Sequence, residues 1–175
     1  MLKIILIVVA VLIAALLAYA ATRPDSFRIQ RAATLNASPE KISPLISDFH
    51  DWGAWSPWEK IDPSMQRTFS GAPAGKGAIY EWSGNGKAGA GRMEILEASP
   101  AKVSIKLDFI KPFEGHNLTD FTLELQPGGG TRVNWDMHGP SPYLSKLMGI
   151  FMNLDRLVGK DFEQGLANLK TVAEK

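Results

Sequence analysis

The sequence predicts an α+β fold: a curved antiparallel sheet wrapped around a long C-terminal helix, preceded by an apolar N-terminal helix. Three observations carry this. The chain of 175 residues opens on a charge-free run, IILIVVAVLIAALLAYAA, from Ile4 to Ala21. Between Met65 and Pro140 apolar side chains recur at every second position, with short Gly/Pro turns between the runs. From Leu147 onward they recur every third or fourth position. A sheet with one dry face needs a cover, and a long final helix supplies it.

As a helix, the first run would be about 27 Å long, against a hydrocarbon core of about 30 Å. An uncleaved membrane anchor is the expectation. The competing reading is a secretory signal cleaved after Ala18-Tyr19-Ala20, an A-x-A pattern. Against cleavage, the run is longer than most signal cores and only Lys3 precedes it. Lys3 lies on one side while Arg23, Arg28 and Arg31 lie on the other, so the positive-inside rule does not orient the helix. A single-pass anchor with an exported, periplasmic or extracytoplasmic domain is expected. The division is then 1–21 anchor, 22–26 linker and 27–175 ligand-binding domain.

Removing Lys3 with the anchor leaves 18 of the 19 basic residues against 18 acidic ones. Nucleic-acid binding needs a basic stripe, and none is present. The chain has no cysteine, which removes disulfides, thiol nucleophiles and cysteine-ligated metals.

Phe27, Ile29, Arg31, Ala33 and Leu35 form the apolar register of a first strand, with Arg31 as its one charge. Arg31 either snorkels out to solvent, is a polar anchor for a ligand carboxylate or phosphate, or is half of an internal salt bridge. Ser38 and Pro39 suit a helix start, and Ile42, Leu45, Ile46 and Phe49 have helical spacing. Pro44 is expected to bend or interrupt that helix. Trp52, Trp55 and Trp58 follow, with Gly53 and Pro57 limiting them to a short helical turn and irregular chain. Five further runs alternate: 65–69, 78–82, 91–96, 103–109 and 121–126; Val133, Trp135 and Met137 close the meander. In the last helix, Gly149, Gly159 and Gly165 weaken the pattern and allow a kink or close packing.

Several motifs lead nowhere. Gly84 to Gly89 spells G-x-G-x-x-G, but a strand follows where a dinucleotide site needs a helix, so it reads as a hairpin turn. Gly71 to Gly77 falls one residue short of a phosphate-binding loop. His50, His116 and His138 are scattered and lack metal-ligand spacing. His116 with Glu114 or Asp120, and His138 with Asp136, are the only candidate acid–base pairs, and solvent exposure is the simpler reading of both. No metal, cofactor or catalytic residue is expected.

The helix opening S-P-E-K, the D-F-x-x-W-x-x-W-S-P-W segment from Asp48 to Trp58, Asp62-Pro63 and Gly77 carry a resemblance. So do Tyr80-Glu81-Trp82-Ser83-Gly84 and Gly89-x-Gly91-x-Met93-x-Ile95. Together they resemble the START-like (SRPBCC) superfamily, in particular its polyketide cyclase/dehydrase-like bacterial members, many of which carry an N-terminal membrane helix. The similarity runs from Phe27 to Ala173. It implies the helix-grip fold, with a deep apolar cavity between sheet and helix that relatives use for lipids, sterols, polyketides, aromatic compounds or hormones. Some relatives are enzymes and many only bind, and the fold brings no universal catalytic motif.

On that map the expected cavity residues are Trp52, Trp55 and Trp58 at one end and Tyr80, Trp82, Met93, Phe109, Phe121 and Trp135 on the strands. Met148, Phe151 and Met152 are expected to look back from the helix. Each is equally well a packing residue of a filled core. The leading function is binding or transport of a hydrophobic small molecule, lipid or polyketide-like, tethered at a membrane through residues 4–21. The alternatives are a cyclase- or hydrolase-type enzyme, which needs an inward titratable group, and a membrane-tethered interaction module with a filled cavity.

Overall fold

The computed structural model describes residues 1–175. Helix α1 (Leu2–Ala21) is long and apolar enough to cross a membrane, and only Ala20 of it is buried against the rest of the chain. Strand β1 (Ser26–Leu35) leads into α2 (Pro39–Ser47), which continues through Pro44 where the sequence suggested a bend or interruption. The tryptophan segment is a 3₁₀ turn (Phe49–Asp51), one helical turn α3 (Trp52–Trp55) and a second 3₁₀ turn (Pro57–Lys60). Six strands follow: β2 (Gln66–Gly71), β3 (Ala78–Ser83), β4 (Ala90–Ala98), β5 (Lys102–Lys111), β6 (Gly115–Leu125) and β7 (Thr131–Pro140).

The seven strands form one antiparallel sheet in the order β1-β7-β6-β5-β4-β3-β2. The alternation read from the sequence is the register observed: Tyr80 pairs with Met93, Met93 with Leu107, and Phe121 with Trp135, all on the inner face. Ile29, Val103, Ile105, Phe121, Leu123 and Val133 are buried there. Against them pack Ile42 and Ile46 of α2 and Phe162, Leu166 and Leu169 of the last helix.

The C-terminal cover is two helices rather than one: α4 (Tyr143–Phe151) and α5 (Leu154–Ala173). Met152 is extended, and the Asn153 side chain accepts a hydrogen bond from the Arg156 amide. The apolar period ran unbroken through this point, but a side chain able to cap starts a new helix there. Helix α5 grips the sheet. Helix α4 turns away from it and packs against α1, where the Tyr143 hydroxyl donates to the Leu17 carbonyl at 2.9 Å.

The glycines divide the same way. A Cβ on Gly165 would lie 2.7 Å from the Trp135 ring and 3.2 Å from Pro57, whereas one on Gly149 would meet nothing within 4 Å. Trp135 is itself held by neighbouring rings and cannot give way. Gly165→Ala should therefore cost about 1–3 kcal/mol by overpacking. Gly149→Ala should be neutral or up to ~1 kcal/mol stabilising, the helix-propensity gain. Urea denaturation of the two variants checks both signs.

Candidate functional site

The space between sheet and helices is filled in one half and hollow in the other. The filled half centres on Trp135, whose ring stacks on Phe162 at 4.2 Å with 6° between planes. Trp55 and Trp58 meet Trp135 edge-on, both at 5.6 Å, and Trp55 also meets Phe121 edge-on. The indole N–H groups of Trp52 and Trp55 donate to the carbonyls of Ile46 and Leu45, both at 2.9 Å, so both rings are fixed to the end of α2. Asn168 of α5 donates to the Trp55 carbonyl at 2.9 Å and ties the segment to the last helix.

Beside this cluster lies a cavity of about 480 Å³, lined by 27 residues of which 17 are hydrophobic. It is far larger than the voids close-packed interiors tolerate, and it falls within the size range of small-molecule sites. Its deep wall carries Trp52, Tyr80, Met93, Trp135, Met137 and Phe162, and Trp58, Trp82, Leu107 and Phe109 add to the apolar lining. Its mouth is bounded by exposed Lys87, Phe113, Glu114, Pro142, Ser145 and Leu154.

Of the residues the sequence singled out, Trp52, Trp58, Tyr80, Trp82, Met93, Phe109 and Trp135 line the cavity. Trp55 and Phe121 do not: both are fully buried in the filled half. Met148, Phe151 and Met152 do not either. The break at Asn153 turns α4 outward, leaving Phe151 73% exposed. Arg31 occupies the inward register of β1 but is no cavity anchor. Its guanidinium runs across Gly159 to Asp155 (3.0 Å) and Glu163 (2.8 Å) of α5, the salt-bridge reading. Nor do the candidate acid–base pairs lie inside. His116 bonds Asp108 at 2.7 Å on the outer face, and His138 sits 3.3 Å from Asp136 there. No cluster of His, Cys, Asp or Glu is arranged to hold a metal.

Sequence reasoning missed the polar part of the wall. Asn117 and Thr119 are buried lining residues of β6. Continuing the inward register of Phe121 back by two and four positions finds them. Glu59 had no such signal because it lies in the short 3₁₀ turn Pro57–Lys60, outside any periodic run. Its carboxylate accepts from the Tyr80 hydroxyl at 2.6 Å and pairs with Arg67 at 2.6 Å, so both oxygens are engaged. Burial, then this carboxylate, push the Tyr80 phenol well above its ordinary pKa, and it stays a neutral donor. A paired carboxylate facing a neutral phenol is a structural arrangement and a poor proton shuttle.

A second depression of about 610 Å³ lies on the outer face of the sheet. It has one hydrophobic residue among ten and is open to solvent, bordered by Arg28, Lys102, Asp120, Asp136 and His138. It lacks the enclosure that apolar recognition requires.

The rim of the inner cavity is pinned by Asp62, which is buried. Its carboxylate accepts from the Ser64 hydroxyl (2.7 Å), the Ser64 amide (2.9 Å) and the Asn85 amide (2.7 Å). These bonds, led by the Ser64 hydroxyl, hold its pKa below the usual carboxylate value. A lowered folded pKa means the contribution is complete above the unfolded value of about 3.9 and is lost as pH falls through the folded one. Asp62→Asn should thus be less stable than the natural chain at pH 6, with the gap closing towards pH 3, as read from urea midpoints at the two pH values.

A family model described as polyketide cyclase/dehydrase and lipid transport matches residues 26–174. No curated protein matches the chain in sequence. Among solved structures, a protein from Chromobacterium violaceum is 17% identical with a TM-score of 0.58, over 87% of this chain and 99% of the other. One from Mesorhizobium loti is 17% identical with a TM-score of 0.60, over 83% and 95%. The Aha1 dimer from Colwellia psychrerythraea is 18% identical with a TM-score of 0.56, over 85% and 96%. At these identities the likeness is one of fold.

Proposed function

The chain belongs to the polyketide cyclase/dehydrase and lipid transport family, and from that premise we propose that it binds a hydrophobic small molecule, lipid or polyketide-like, in the inner cavity while α1 tethers it to a membrane. The observation that carries this is the apolar-lined hollow of about 480 Å³, open at one mouth, beside a core that is otherwise filled. Binding releases water from the lining, and the adaptable side chains of Met93 and Met137 suit an apolar ligand of variable shape. Asn117 gives the wall a polar point for orientation. The enzyme reading needs a free titratable group facing the ligand. Glu59, a part-buried carboxylate of the lining, has both oxygens engaged, and the other charged lining residues, Lys87 and Glu114, lie exposed at the mouth, which favours binding over chemistry.

The test is mass spectrometry of an organic extract of the full chain, purified in mild detergent from its own host. The expected outcome is a recurrent apolar molecule near stoichiometric amount. In Met93→Trp, which places an indole in the hollow opposite Leu107, the bound amount should fall at least ~10-fold while the fold survives an overpacking cost of about 1–3 kcal/mol. Extracts that are empty, or unchanged by Met93→Trp, would rule the reading out.

A further inference from the structure

Between Tyr143 and Leu157 the chain presents seven large apolar side chains to solvent, with Asp155 and Arg156 the exposed charges among them. Leu144 is 53% exposed, Phe151 73% and Leu157 51%, with Met152 and Leu154 between them. Isolated apolar side chains on a surface are ordinary, but a cluster of them beside a cavity mouth marks a contact. The break at Asn153 creates it by turning α4 out of the core. Pro142, Ser145 and Leu154 belong both to this surface and to the mouth.

The position of α4 along α1 says what covers it. Helix α1 is 20 residues, about 30 Å, which matches a hydrocarbon core of about 30 Å. Tyr143 bonds the carbonyl of Leu17, four residues before the helix ends at Ala21, about 6 Å short of its end at 1.5 Å per residue. A spanning α1 therefore carries the start of α4 to the depth at which interfacial helices lie, about 5–10 Å into the headgroup–acyl boundary. Tyr19 and Tyr143 sit at that level, where aromatic belts form. Lys146, the one charge of α4, is neutralised by Asp25.

We propose that α4 and the α4–α5 junction are a second, monotopic membrane contact, lying in the surface of the phospholipid bilayer that α1 spans. The mouth of the cavity then opens against the acyl region, and the ligand is a bilayer-dissolved amphiphile that enters from lipid rather than from water. This rests on the reading of α1 as a membrane anchor.

The chain has no cysteine, so Phe151→Cys gives one attachment point for a nitrobenzoxadiazole label. Gly128→Cys, an exposed turn at the far end of β7, is the reference. Full-length protein is reconstituted in phosphatidylcholine vesicles with and without dibrominated phosphatidylcholine. Flotation reports anchoring, and bromine quenching reports depth. Leu144→Cys repeats the measurement on a second exposed side chain, with circular dichroism confirming that each labelled chain is folded. The expected result is co-flotation, with brominated lipid removing at least about half of the emission at 151 and 144, the depth of an interfacial helix, and little at 128. Co-flotation with labels 151 and 144 unquenched would overturn the membrane contact and leave the anchor standing. Labels shielded without quenching, in proportion to protein density, would assign the surface to a second copy of the chain and also overturn it. A chain that does not float would refute the anchor reading, and this proposal with it.

Discussion

The indole of Trp135 lies flat on Phe162, and the position of that stack decides where the space between sheet and helix is filled. Three constraints converge on it. The strand register puts Trp135 on the inner face opposite Phe121, Gly165 lets the helix approach close enough for the ring to fit, and Trp55 and Trp58 close on it from the side. One face of the ring is consumed by packing. Beyond its edge the hollow begins, lined by Tyr80, Trp82, Met93 and Phe109.

The tryptophan segment is therefore divided in its work. Trp55 is core, held by Leu45 and Asn168. Trp52 and Trp58 have one side in that core and the other on the hollow. Such rings give a cavity a rigid wall at small entropic cost, because aromatic side chains have few torsions to freeze.

The architecture was legible because its signal is periodic. Alternation places Tyr80, Met93, Phe121 and Trp135 on one face without reference to anything distant, and it holds at each of them. What was not legible depends on competition between local and distant partners. The helical period from Leu147 to Ala173 passes through Asn153 unbroken, and only the cap bond to Arg156 shows that two helices meet there. That break moved Met148, Phe151 and Met152 from the expected cavity wall to the surface. Filled and hollow halves share one alternation, so periodicity could not separate Phe121 from Met93. Glu59 lies in a short 3₁₀ turn with no period of its own and acquires its meaning from Arg67 and Tyr80, 8 and 21 positions away.

Arg31 has a consequence for motion. By reaching from the edge strand to Asp155 and Glu163, it rivets the first half of α5 to β1 beside the mouth. A partly exposed pair contributes little on its own, but two carboxylates on one guanidinium resist sliding in two directions. Swinging the helix aside to admit a ligand would break both contacts and the Trp135–Phe162 stack together. The turn at Lys87 and the bend at Phe113, also at the mouth, carry exposed side chains and make no side-chain hydrogen bond to that helix. The last helix and the edge strand are thus coupled in any such swing.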